Sequence, residues 1–115
     1  MLYYEFEAGN TAYKLRLNTR NTVALEKQLG CNPVMIFGNG DRIPTITQMV
    51  AILNASLQAY HHGITMDKAY DIFDAYLADG HAMTDFIAVI VDIYKASGIM
   101  KSENTPDDTE EDEKN

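Results

Sequence analysis

The sequence predicts an α+β chain, mainly α, in which an N-terminal β-hairpin packs on a small bundle of about four helices and a disordered acidic tail follows. Three observations carry this. Apolar and polar residues alternate on either side of Gly9-Asn10, helix start and stop signals bracket 3.6-residue periods between Asn18 and Gly98, and the last fifteen residues are almost free of apolar side chains. With 115 residues, 46% of them hydrophobic, there is material for one core. Residues 1–100 are therefore expected to form a single domain, with 101–115 as the tail.

Leu2 to Glu7 and Ala12 to Leu17 alternate, and Gly9-Asn10 can supply the positive φ angles of a two-residue turn. Centring on that turn pairs Phe6 with Tyr13, Tyr4 with Leu15 and Leu2 with Leu17 on one face, and Glu5 with Lys14 and Tyr3 with Arg16 on the other. A slip of one residue would set apolar side chains against charged ones, so this register is favoured. An isolated hairpin is only marginally stable, and helices must cover its apolar face.

Asn18-Thr19 offers N-caps for a short, partly buried helix that Gly30 ends. Asn32-Pro33 is a cap followed by proline at the first helical position, so one turn through Phe37 is expected before the Gly38-Asn39-Gly40-Asp41 loop. Thr45 with Gln48 forms a capping box, opening a helix that buries Ile46, Met49, Val50, Leu53, Leu57 and Tyr60 and runs to Gly63. Thr65 caps the next, with Asp67 in its first turn and Met66, Ala69, Tyr70, Phe73, Tyr76 and Leu77 turned inward before Gly80. The last helix, from about Thr84 to Ser97, has only a thin polar strip and is expected at the centre of the bundle, with a Schellman ending at Gly98-Ile99.

Composition narrows the function. Of the net charge of -8, the segment Lys101–Asn115 carries -5, leaving -3 on residues 1–100. Such a chain repels phosphate backbones, and no Lys/Arg cluster offsets this, so no nucleic-acid binding is expected. Cys31 is the only cysteine, which excludes an intramolecular disulfide and a CxxC site and fits a reducing compartment. Met1 to Asn10 lacks the basic flank and apolar run of an export signal, and the apolar run Phe86–Val91 is far short of a membrane span. A cytoplasmic protein that does not engage the membrane is expected.

Several groups could carry chemistry, and each has a structural explanation beside it. His61 and His62 could ligate a metal, but adjacent helical residues diverge by about 100°, and histidines before Gly63 suit the negative end of a helix dipole. Asp67, Asp71 and Asp74 share one helical face and could hold Mg²⁺, yet no second acidic helix faces them, which favours a solvated surface. Asp79-Gly80 lacks the alternating oxygen ligands of a calcium loop. Cys31 has no activating histidine nearby and reads as a structural thiol, and His81 stands in a separate loop. Gly38-Asn39-Gly40 follows no expected strand, which makes it an ordinary loop before a phosphate loop. No catalytic, cofactor or metal residue is assigned, and the residues that would meet a partner are not identifiable. What remains is an interaction module with a flexible acidic tail.

The order of segments is more specific. YKLRLNTRNTVALEKQLGCNPVMIF, IPTITQMVAILNASLQAYHHGITMDKAYDIFDAYLADG and FIAVIVDIYKASGI precede the acidic end, with RNTVALEKQLG, LQAYHHG and DIYKASG the most telling pieces. Over residues 13–100 this resembles the tail assembly chaperones of long-tailed phages and prophages of Gram-positive bacteria. The resemblance implies a non-enzymatic factor of the host bacterial cytoplasm, absent from the mature virion, that binds the tape measure protein and aids assembly of the tail tube protein around it. It also implies a longer form of the chain made by ribosomal frameshifting, for which Glu113-Lys114-Asn115 permits an A-rich slippery codon run. Self-association is left open. Two readings from other classes stand beside it: a small helical metal-dependent hydrolase using Asp67, Asp71 and Asp74, and an acidic DNA mimic aimed at a nucleic-acid-binding protein. Genomic position separates them, since a neighbouring gene for a very long helical protein favours the chaperone.

Overall fold

The structure, a computed structural model, describes residues 2–102. Two antiparallel strands, β1 (Tyr4–Ala8) and β2 (Thr11–Leu15), are followed by four helices: α1 (Thr19–Leu29), α2 (Ile46–Leu57), α3 (Met66–Ala78) and α4 (Phe86–Ser97). Short 3-10 turns at Pro33–Phe37 and Met83–Asp85 lead into the chain segments around them. The expected disordered tail lies outside the described residues from 103 onward.

Gly9 and Asn10 both take positive φ, 57° and 65°, which sets the turn twist that two-residue hairpins need. The register follows the pairing expected from alternation: Tyr4 faces Leu15, Glu5 faces Lys14 and Phe6 faces Tyr13. The ladder stops there. Leu2 does not pair with Leu17; it is exposed, while Leu17 is buried against the helices and its neighbour Arg16 donates from Nη1 to the Leu2 carbonyl.

Three of the four helices start on a side-chain cap, and α4, which continues directly from the Met83–Asp85 turn, does not. Asn18 accepts from the Asn21 N–H, Thr65 accepts from the Lys68 N–H, and Thr45 and Gln48 bond reciprocally at the head of α2. Gly30 and Gly98 close α1 and α4 in the left-handed conformation. At the second, Gly98 N–H donates to Lys95 O and Ile99 N–H to Tyr94 O, the two bonds of a Schellman motif.

Three expectations about the helices are corrected. α2, not α4, occupies the centre: eight of its twelve residues are buried against five of the twelve in α4, and α2 packs on α1, α3, α4 and β2. The polar strip of α4, with Asp92 exposed, faces solvent, whereas Ala51, Ile52, Ala55 and Ser56 of α2 are covered all round. α2 also ends at Leu57 and does not reach Gly63, because the Ser56 carbonyl that would continue it accepts instead from the Arg16 N–H at 2.9 Å. Finally, Tyr70 of α3 and Ile46 and Tyr60 are exposed, and Ile72 takes the core position expected of Tyr70. The buried set on α3 is Ala69, Ile72, Phe73 and Tyr76, one face at i, i+3, i+4 and i+7.

Phe6 from the hairpin is the keystone of the contact between sheet and helices. Its ring lies 5.1 Å from Tyr76 and 5.8 Å from Phe86, and Phe73 stands edge-on to Phe86 at 5.2 Å. Sheet, α3 and α4 thus share one aromatic cluster.

Candidate interaction surface

The hairpin is tied to the helices by polar contacts along its length. At the tip, the Gly9 N–H donates to Asp79 Oδ2 at 2.9 Å, and the backbone there runs so close to α3 that a Cβ on Gly9 would lie 3.1 Å from the Ala75 Cβ. Along β2, the Lys14 N–H donates to His61 Nε2 at 2.9 Å and the Arg16 N–H to Ser56 O. At the base, the Leu17 N–H donates to Ser97 Oγ, and Arg16 Nη1 reaches the Ala96 carbonyl. Between β2, α1 and the end of α4 lies an open groove of about 420 Å³ lined by Arg16, Asn18, Thr22, Glu26 and Ser97 among others. Arg16, Asn18 and Ser97 spend their polar groups on these internal bonds.

His61 takes a different role from the one expected. It lies beyond the end of α2, so its ring does not sit in a last helical turn against the dipole; its Nε2 lone pair receives the Lys14 amide, and Tyr13 meets the ring edge-on at 5.4 Å. Burial, and secondly the Lys14 ammonium, hold its pKa below the ordinary value. His62 is exposed. The turn between is folded by Gln58, whose Nε2 donates to Asn54 O and Ile64 O while its Oε1 accepts from the Gly63 N–H. His81 stacks on Tyr76 with 4.2 Å between rings and sits 3.9 Å from Asp85.

Asp67, Asp71 and Asp74 lie exposed along α3. Among the described residues no group of three or more His, Cys, Asp or Glu side chains converges to hold a metal. Asp79 spends its Oδ2 on the hairpin tip. Cys31 is a free, half-buried thiol packed on the core beside Tyr94, whose hydroxyl donates to Pro33 O; burial, and to a lesser degree Cys31, push that hydroxyl well above its ordinary pKa. The Gly38–Gly40 amides turn inward, to Met35 O, Asp41 Oδ1 and Phe37 O, and so leave no cradle for a phosphate.

The outer surface carries Leu2, Val23, Met35, Ile43, Ile46, Tyr60 and Tyr70 as exposed large apolar side chains. Lys14 lays its ammonium over the Tyr3 and Tyr60 rings, 5.1 and 5.6 Å from their centroids, on the solvent side of the hairpin. These latches and this aromatic face were not legible as a site, because each joins residues far apart in sequence: Lys14 to His61, Leu17 to Ser97, Gly9 to Asp79.

A family model, described as a family of unknown function (DUF6096), matches residues 5–114, nearly the whole chain. The chain belongs to that family. Its matched span starts within β1, so the hairpin, the four helices and the latches between them are family territory. No curated protein and no solved structure matches the chain. Among the described residues no helix is long and apolar enough to cross a membrane.

Proposed function

We propose that the chain is a non-enzymatic tail assembly chaperone of a long-tailed phage or prophage, binding the tape measure protein and aiding assembly of the tail tube around it. It acts in the host bacterial cytoplasm and leaves before the virion is complete. The observation that carries the reading is the ordered resemblance over residues 13–100, centred on RNTVALEKQLG, LQAYHHG and DIYKASG. Two of these pieces hold the hairpin to the helices: His61 lies in the second, and Ala96 and Ser97 lie in the third. The fold compatible with such a role is a latched platform with scattered exposed apolar side chains, able to make contacts of its own without unfolding. A longer form made by frameshifting would carry the same platform with an added segment.

The test is co-expression with the tape measure protein of the phage or prophage that carries this gene. The expected result is that the partner moves from the insoluble to the soluble fraction and co-purifies with the chain. A partner equally soluble with and without the chain, and absent from the purified material, would overturn the proposal.

A further inference from the structure

In an antiparallel hairpin, residue pairs alternate between those that exchange both main-chain hydrogen bonds and those that exchange none. Ala8 and Thr11 close the two-residue turn, so Phe6 with Tyr13 and Tyr4 with Leu15 belong to the bonded set. Glu7 with Ala12 and Glu5 with Lys14 belong to the other, and their N–H and C=O groups point away from the ladder. Beyond Ala12, at the exposed tip, the outward donors of the second strand are taken: the Lys14 N–H goes to His61, and the Arg16 N–H, in the same phase, to Ser56 O. On β1 the outward groups of Glu5 and Glu7 have no protein partner among the described residues, and both residues are exposed.

Four free main-chain groups on an exposed edge are a template for one more strand. Charge decides which strand. Glu5 and Glu7 stand on the outer face, alternating with buried Phe6 and Ala8, so an added strand brings its own outward side chains into the cross-strand position. A second copy docked through β1 would set these glutamates against their equivalents, an opposition of like charges. Neither is neutralised at home: among the described residues no ion pair involves them, and Lys14, opposite Glu5, turns its ammonium to Tyr3 and Tyr60.

We propose that the outer edge of β1 is a strand-addition site for an extended segment of another protein with Lys or Arg at alternate positions. The segment's main chain bonds to Glu5 and Glu7, and its basic side chains face their carboxylates. This goes beyond the chaperone reading, because it depends on the edge and on its charge and holds whichever protein supplies the strand.

The experiment titrates the isotopically labelled full chain with a Lys-Val repeat peptide of about eight residues, enough to span the edge. A Lys-Pro repeat of the same length and charge is the control, since proline cannot donate to a ladder. The expected result is saturable binding of the Lys-Val peptide with slowed exchange of the Glu5 and Glu7 amides, and roughly tenfold weaker binding of the Lys-Pro peptide. The double variant E5K/E7K should weaken Lys-Val binding by roughly tenfold and take up a Glu-Val repeat in its place. Equal affinity for the two basic peptides, perturbation confined to other residues, or a β1-to-β1 dimer in sedimentation would each overturn the proposal.

Discussion

At His61 a single lone pair joins a loop to a strand. Nε2 can accept the Lys14 amide only while it is unprotonated, and desolvation together with the Lys14 charge lowers the folded pKa from the ordinary 6.5. Between the two pKa values the unfolded chain binds more protons than the folded one, so this contribution is fully present above about 6.5 and is lost as pH falls toward the folded value. His61→Gln should therefore lose less stability than the wild type between pH 7 and 5.5, measured by urea unfolding; parallel pH profiles would remove the latch. Thr45 and Gln48 were legible from sequence because a capping box spans only three residues, and the two reciprocal bonds at 2.8 and 3.1 Å are where the pattern put them. Thr45→Ala should cost about 1 kcal/mol, read from the same unfolding curves. His61 was misassigned from sequence for the opposite reason: its partner is 47 residues away, and no local signal points to it.

Among the elements, the hairpin register was readable because alternation and the Gly9-Asn10 turn specify it together, and both are local. The end of α2 was not. Gly63 is a good stop signal, but Arg16 captures the Ser56 carbonyl first and Gln58 folds the turn that follows. The inward face of α3 was legible at Ala69, Phe73 and Tyr76, all buried, but not at its margin, where Tyr70 and Ile72 fit two neighbouring stripes. The structure leaves Tyr70 in solvent and gives Ile72 the buried stripe. α4 does not hold the centre, yet Ile90 is fully buried in it. Ile90→Asp places an unpaired carboxylate in that core at a cost of several kcal/mol, against a total stability of about 5–15 kcal/mol. The variant should be unfolded by circular dichroism; a cooperatively melting variant would contradict the packing of α4 on β1 and α2.

At the scale of the whole molecule, an aromatic cluster and a set of polar latches fix a short two-stranded sheet to four helices. The hairpin's two edges differ. On β2 and just after it, His61 and Ser56 take the outward N–H groups of Lys14 and Arg16, while the outward groups of Glu5 and Glu7 on β1 stand open to solvent beside two carboxylates. That asymmetry turns a small bundle into a platform with one directional docking edge, and it arises from contacts that only the folded chain brings together. Amide hydrogen exchange of the free protein tests it most directly. The Lys14 and Arg16 amides should exchange slower than those of Glu5 and Glu7 by on the order of a hundredfold or more, since closing bonds must break before β2 can exchange. Equal protection at all four positions, or faster exchange at Lys14 and Arg16, would contradict a hairpin whose Lys14 and Arg16 amides are held while those of Glu5 and Glu7 stand open.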